Sequence, residues 1–165
     1  MPFNPEVTVA ALVERVVDRE RRFLMVEELI SGRLVLNQPA GHLEDGETLV
    51  EAAIRETREE TAWRLTPESL VGVYLWRNPE NGRSFLRFAF CGVVDDHHPT
   101  QSLDEGIQRA LWLSHQQLLA QPGRLRSPLV MRCLDDYLLG RRQPLDTVAT
   151  LDLDSAMQVD AVVNL

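Results

Sequence analysis

The chain has 165 residues, 44% of them hydrophobic and 25% charged, and a formal net charge of −8. That is enough apolar material for one α/β or α+β domain with a real core. The acidic balance excludes the basic face that non-specific binding to nucleic acid or anionic membrane requires, although an acidic protein still takes an anionic substrate where metal ions neutralise the contact. No run approaches the ~20 apolar residues of a membrane span. The start, Met1-Pro2-Phe3-Asn4-Pro5, has neither the basic region nor the apolar stretch of a signal peptide. The expectation is therefore a cytoplasmic protein. Cys91 and Cys133 match no metal or redox spacing and read as buried free thiols.

Val7 to Val17 is rich in β-branched residues and predicts a strand, closed by the charged turn Asp18 to Arg22. Phe23 to Val26 predicts its antiparallel partner. Leu34-Val35-Leu36 is a short apolar run before a loop, Asn37 to Gly41, where Pro39 and Gly41 mark a change of direction. Thr48 and Glu51 form a capping box, and Leu49 to Glu60 holds no Gly or Pro, which predicts a helix. Leu70 to Trp76 and Phe85 to Val94 predict two more strands joined by the turn Asn78 to Gly82. Ala110 to Leu113 is a further short strand. Ser114 caps a helix to about Ala120, and Ser127-Pro128 opens a last one to Leu139, stopped by Gly140. After Pro144 the tail reads equally as an extra strand or a loosely packed arm. Strands around one central helix, with two late helices, predict a mixed sheet covered on both faces.

The central helix is the informative element. Glu56, Glu59 and Glu60 fall within an arc of roughly 100°. Val50, Ile54, Thr57 and Thr61 cluster opposite, and are expected to pack on the sheet so that the glutamates face away from the core. Leu49, Ala52 and Ala53 extend the glutamate side and let other groups approach closely. Most acidic stripes on helices are merely solvated, and Glu51 with Arg55 makes an ordinary i,i+4 pair. Glu56 and Glu60, however, are a like-charged i,i+4 pair with Glu59 adjacent, a repulsion of about a few tenths of a kcal/mol per pair without a counter-ion. Mg²⁺ takes carboxylate oxygens and keeps several waters, so such a cluster suits a bridge between metal and phosphate.

Gly41, Glu47, Arg55-Glu56 and Glu59-Glu60 stand at the spacing Gly, five residues, Glu, seven residues, Arg-Glu, two residues, Glu-Glu. The chain thereby resembles the Nudix hydrolases. Asn37 to Glu44, Phe85 to Phe88 and Leu125 to Val130 further resemble a branch that acts on nucleotides and pyrimidine pyrophosphates, and carry the likeness from about Val7 to Leu145. The resemblance implies one Nudix domain over residues 1–165 with an α/β/α sandwich, and a tail over 146–165 outside the likeness. It implies cleavage of a phosphoanhydride by a metal-activated water, with Mg²⁺, or Mn²⁺ in its place, as cofactor. Glu56, Glu59 and Glu60 would be metal ligands, completed by the backbone carbonyl of Ala40 or Gly41. Arg55 would orient the carboxylates through ion pairing, with Glu47 as its partner. One position departs from the family pattern: the glycine expected after the Glu-Glu pair is Ala62, where a left-handed cap costs alanine about 1 kcal/mol.

The general base is either a helix glutamate or a loop acid ahead of the late strand, Asp104 or Glu105, of which Glu105 is the candidate carried forward. Arg87, set in the otherwise apolar Phe85 to Phe90, meets either solvent or phosphate. Trp76 and Tyr74 share a strand face and could stack on a base or fill the core, and His42 adjoins Gly41 as a candidate phosphate contact. His97 and His98 read as solvated. The expected substrates are small: nucleoside tri- and diphosphates and thiamine or hydroxymethylpyrimidine pyrophosphate, handled by a monomer or homodimer. Alternatives are a nucleotide sugar, a dinucleoside polyphosphate or capped RNA, the last disfavoured by the lack of a basic run. A non-catalytic, metabolite-binding regulator would be expected to have lost signature glutamates, and this chain keeps them all.

Overall fold

A computed structural model describes residues 3–151. Of the tail, Leu145–Thr147 forms a single 3₁₀ turn, and the stretch 152–165, expected as a strand or an arm, lies outside the described part. The strands are β1 (Glu6–Val17), β2 (Glu20–Ile30), β3 (Arg33–Asn37), β4 (Ala40–His42), β5 (Arg64–Arg77), β6 (Ser84–Asp95) and β7 (Ile107–Ser114), and the helices are α1 (Leu49–Thr61), α2 (His115–Leu119) and α3 (Leu129–Leu138). The strand order is β3-β2-β1-β6-β5, with β4 on β1 and β7 on β2. β1 and β6 run parallel and the other pairs antiparallel, so the sheet is mixed.

β1 is buried without a break from Thr8 to Val13. Such a continuous run belongs to a strand covered on both faces, and alternation sends its side chains to two cores. Val9, Ala11 and Val13 pack with Ala52 and Ala53 of α1 and with Phe90. Leu12 packs with Leu118 of α2 and with Val130, Cys133 and Leu134 of α3. The result is the expected α/β/α sandwich. Cys91 and Cys133 are buried free thiols, as anticipated. Among the described residues no helix is long and apolar enough to cross a membrane.

Three local features differ from the sequence reading. The turn after β1 is only Asp18-Arg19, both at positive φ, and the strands continue through the charged residues on either side. Two successive left-handed residues match the twist of a two-residue hairpin, so no longer loop is needed. β5 begins at Arg64 rather than Leu70, because its outer edge is largely free and tolerates Pro67 without a lost ladder bond. The segment taken as loop contains β4, which pairs Ala40, Gly41 and His42 with Ala10, Val9 and Thr8. A three-residue strand holding a glycine has no periodicity to betray it.

Glu27 ties the site's surroundings together. It is buried in β2, accepts from Arg109 Nε of β7 at 2.9 Å, and also pairs with Arg124, which precedes α3. A bulge between Glu27 and Glu28 lets Glu28 turn toward the cleft described below. The Arg109 hydrogen bond, then the Arg124 bond, hold the Glu27 carboxyl below the ordinary glutamate value of 4.5 against the opposing effect of burial. A depressed folded-state value means that its stabilisation is complete above that ordinary value and is lost as pH falls through the folded one. Thermal melts taken from about pH 6 down to pH 3 should therefore show Glu27→Gln less stable than wild type at the upper end, by about 3 kcal/mol, with the gap closing in acid. A gap that is the same across the whole range would show that Glu27 carries no such charge.

Candidate active site

α1 starts as its sequence predicts. Thr48 Oγ1 accepts from Glu51 N at 3.1 Å, and Glu51 Oε2 accepts from Thr48 N at 2.8 Å. It ends at Ala62, left-handed at φ 59°, whose N–H donates to the Arg58 carbonyl. Ala62 is 2% exposed, so burial of its methyl group, worth about 0.8 kcal/mol, offsets most of the conformational cost relative to glycine.

The inward face of α1 is not the one expected. Ala52, Ala53, Glu56, Thr57, Glu60 and Thr61 are buried, whereas Val50 and Ile54 sit at the margin of the core. Glu56 and Glu60 thus turn toward the sheet rather than away from it, while Thr57 and Thr61 face inward as expected and Glu59 stays partly exposed. The two alanines allow the helix to approach closely, and Thr57 and Thr61 satisfy their hydroxyls on the Ala53 and Thr57 carbonyls. Glu56 and Glu60 are accommodated because specific donors meet them.

Arg55 is the chief of these donors. Its Nε and Nη2 grip Glu47 at 2.9 and 2.7 Å. Nη1 donates to Glu56 at 2.8 Å and to Glu59 at 3.1 Å, while Nη2 also reaches the His42 carbonyl at 2.9 Å. The arginine holds the Glu47 carboxyl below the usual range and is itself stabilised as a cation. Glu60 has only the Ala40 N–H, at 2.9 Å. Burial pushes its carboxyl up to about 9, and pushes Glu56 up as well despite the Arg55 bond.

Gly41 owes its identity to Glu56. A Cβ built on it would lie 2.1 Å from the Glu56 carboxylate, so no larger residue fits while Glu56 keeps its place.

Oxygens of Glu56, Glu59 and Asp104 lie within 4.8 Å of one another, a spacing that one divalent cation can bridge. Asp104 arrives from a distant loop stitched to the end of α1. Asp104 N donates to the Glu59 carbonyl, His98 N to that of Ala62, and Gln101 Nε2 to that of Arg58. The loop acid brought into this group is thus Asp104. Its neighbour Glu105 lines the adjoining cleft, as does Glu60.

That cleft, of about 410 Å³, is walled by α1 and β4 on one side and by β6 and the segment before α3 on the other. Arg87, Trp76 and His42 all line it. Trp76 stacks on Phe85 with centroids 5.7 Å apart. His42 Nε2 lies 2.7 Å from Glu6, whose carboxylate Arg83 also grips. Tyr74 is turned to the α3 side, where its hydroxyl donates to Asp136, and is not at the cleft. His98 bonds Asp96, and His97 stacks on Trp63, exposed as expected but not without partners. Thr8, Glu28, Asn37 and Arg126 also line the cleft without having been singled out. The clues to Arg126 and Asn37 were their places in the segments Leu125 to Val130 and Asn37 to Glu44 that carry the likeness; Thr8 and Glu28 carry no sequence signal beyond polarity.

A model of the NUDIX domain matches residues 6–132. The chain belongs to the Nudix family. It is 44% identical over 146 residues to the phosphatase NudJ of Escherichia coli strain K12, covering 88% of this chain and 92% of that protein. It is equally similar to the phosphatase NudJ of Shigella flexneri. A solved NUDIX hydrolase from Nitrosomonas europaea superposes with a TM-score of 0.86 at 45% identity, covering 91% of this chain and 99% of that one. The NUDIX domain of Shewanella oneidensis NrtR, solved with ADP ribose, shares the fold at a TM-score of 0.67 and 12% identity, with 84% and 89% covered. This Nudix protein is accordingly a hydrolase with a mixed-sheet α/β fold.

Gly41→Ala tests the packing of Gly41 on Glu56. The sheet should survive, while affinity for Mn²⁺, read by electron paramagnetic resonance, should drop by about ten-fold or more as Glu56 is displaced. Unchanged affinity would show that Glu56 has no part in holding a cation.

Proposed function

We propose that the protein is a Mg²⁺-dependent phosphohydrolase of nucleoside tri- and diphosphates and of thiamine or hydroxymethylpyrimidine pyrophosphate. The observation that carries this reading is the convergence of Glu56, Glu59 and Asp104 beside a cleft, with more negative charge than Arg55 can balance. Carboxylate oxygens so grouped suit a hard cation, and burial, which raises Glu56 and Glu60, makes their charged forms dependent on a nearby positive charge. When bound, magnesium supplies the charge that neutralises a diphosphate and acidifies a water. Its ligands on this reading are Glu56, Glu59 and Asp104, with Glu60 behind them and the Gly41 backbone alongside.

The chain's own residues supply the rest. Arg55 orients Glu56 and Glu59 by direct hydrogen bonds, and Glu47 fixes the arginine. Glu105, on the same loop as Asp104 and lining the cleft, takes the proton of the attacking water. Arg87 meets a phosphoryl oxygen, His42 stands at the cleft beside β4, and the Trp76–Phe85 stack offers a flat apolar surface to a base. The similarity to phosphatase NudJ supports hydrolysis that releases phosphate.

A panel with Mg²⁺ or Mn²⁺ tests the reading, scoring orthophosphate and pyrophosphate from nucleoside triphosphates, nucleoside diphosphates, thiamine diphosphate and a nucleotide sugar. Turnover is expected on the first three, and preference for the nucleotide sugar would transfer the assignment to that class. Glu59→Gln should lower kcat by about 10²-fold or more with the melting temperature unchanged. Glu105→Gln should remove the acidic limb of the pH–rate profile, where protonation of the base otherwise lowers the rate. An unaltered profile would move the base to another residue.

A further inference from the structure

On the α3 side of the cleft, three enclosed polar side chains lack partners. Thr8 Oγ1, Asn37 Oδ1, and Nε and Nη1 of Arg87 have no hydrogen-bond partner among the described residues. The three residues are 6%, 7% and 6% exposed, and all line the cleft. Their juxtaposition follows from register: Thr8 pairs with Arg87 across β1 and β6, and Arg87 with Tyr74 across β5. Asn37 ends β3, beside the point where Leu125 bridges to Leu36. Arg126 N–H donates to the Leu36 carbonyl, which brings Arg126 to the same wall.

A buried guanidinium without an anion is strongly disfavoured. No carboxylate bonds Arg87; the Cys133 thiol, a weak acceptor, lies beside it, and Arg126 adds a like charge. Arg126 itself makes no ion pair among the described residues. Two arginines facing one cavity, with a hydroxyl and an amide able to turn its N–H₂ inward, present the donors that a tetrahedral oxyanion accepts.

We propose that Arg87 and Arg126, with Thr8 and Asn37, form a phosphoryl subsite that works without a divalent cation. The subsite rests on the phosphohydrolase reading for its place in turnover: a substrate spans the cleft, one phosphoryl group at the α1 carboxylates and another at the arginines. Arg87 is therefore a binding residue whose role is separable from that of the glutamates.

Calorimetric titration of the full chain with inorganic phosphate, in the presence of a chelator, tests this. Phosphate should bind wild type without metal, and a methylene-bridged nucleoside diphosphate should displace it competitively. Arg87→Leu should weaken binding by about ten- to a hundred-fold, and Arg126→Ala by about ten-fold. Arg87→Leu removes an unpaired buried charge and should melt no lower than wild type; if it does not fold, the exposed Arg126→Ala decides alone. Glu59→Gln should bind phosphate as wild type does under chelation. Absence of binding under chelation, undiminished binding by both arginine variants, or phosphate that the diphosphate does not displace would each overturn the proposal. A failure of the phosphohydrolase reading would appear instead as no turnover on the substrate panel, with this phosphate binding intact.

Discussion

More carboxylates gather at this end of the cleft than one guanidinium can balance, and that imbalance governs the site. Arg55 bonds Glu47, Glu56 and Glu59 directly, while Glu60 and Asp104 make no ion pair among the described residues. In bulk water such crowding costs little, but Glu56 and Glu60 are buried, and low polarisability makes each uncompensated charge expensive. The protein accommodates them by raising their proton affinity rather than by separating them. Every nearby structural choice keeps the carboxylates close: the alanines that bring α1 onto the sheet, the missing Cβ of Gly41, and the backbone bonds that hold the Asp104 loop to the end of α1. A group arranged at such cost is understandable if a divalent cation completes it.

The sandwich connects this acidic wall to a basic one. α1 lies on one face of the sheet and α3 on the other, and the cleft opens where side chains from both reach the same space. Glu27 contributes from behind by binding Arg109 and Arg124, which tethers the chain just ahead of Arg126 to β2 and β7. The same strand then turns Glu28 into the cleft through its bulge. Acidic and basic walls are thus positioned by separate elements.

Much of this was legible in the chain itself. The capping box of Thr48 and Glu51 located α1 to the residue, and the signature spacing singled out the glutamates and Arg55 because chemistry there depends on fixed intervals along one helix and its approach. The inward face of α1 was misjudged for a physical reason: periodicity weighs side chains by hydrophobicity, but Glu56 is buried beside its neighbour Arg55 and against Gly41, and Glu60 is received by the distant Ala40 N–H. Asp104 was beyond reach as a member of the cluster, since backbone bonds to Glu59, Ala62 and Arg58 across the fold put it there. The unpaired state of Arg87 depended likewise on what its neighbours fail to supply. Local patterns reveal elements and spacing; burial and unmet hydrogen bonds arise only when distant segments meet.

The central claim is that a divalent cation completes the buried acidic group and displaces the proton that burial favours on Glu60. It is tested most directly by calorimetric titration of Mg²⁺ into metal-free protein near pH 7.5, repeated in buffers of different ionisation enthalpy. With the Glu60 carboxyl raised to about 9, binding should release up to about one proton per cation, and Glu60→Gln should abolish that release. Cation binding with no proton released from wild type, or release undiminished in Glu60→Gln, would contradict it.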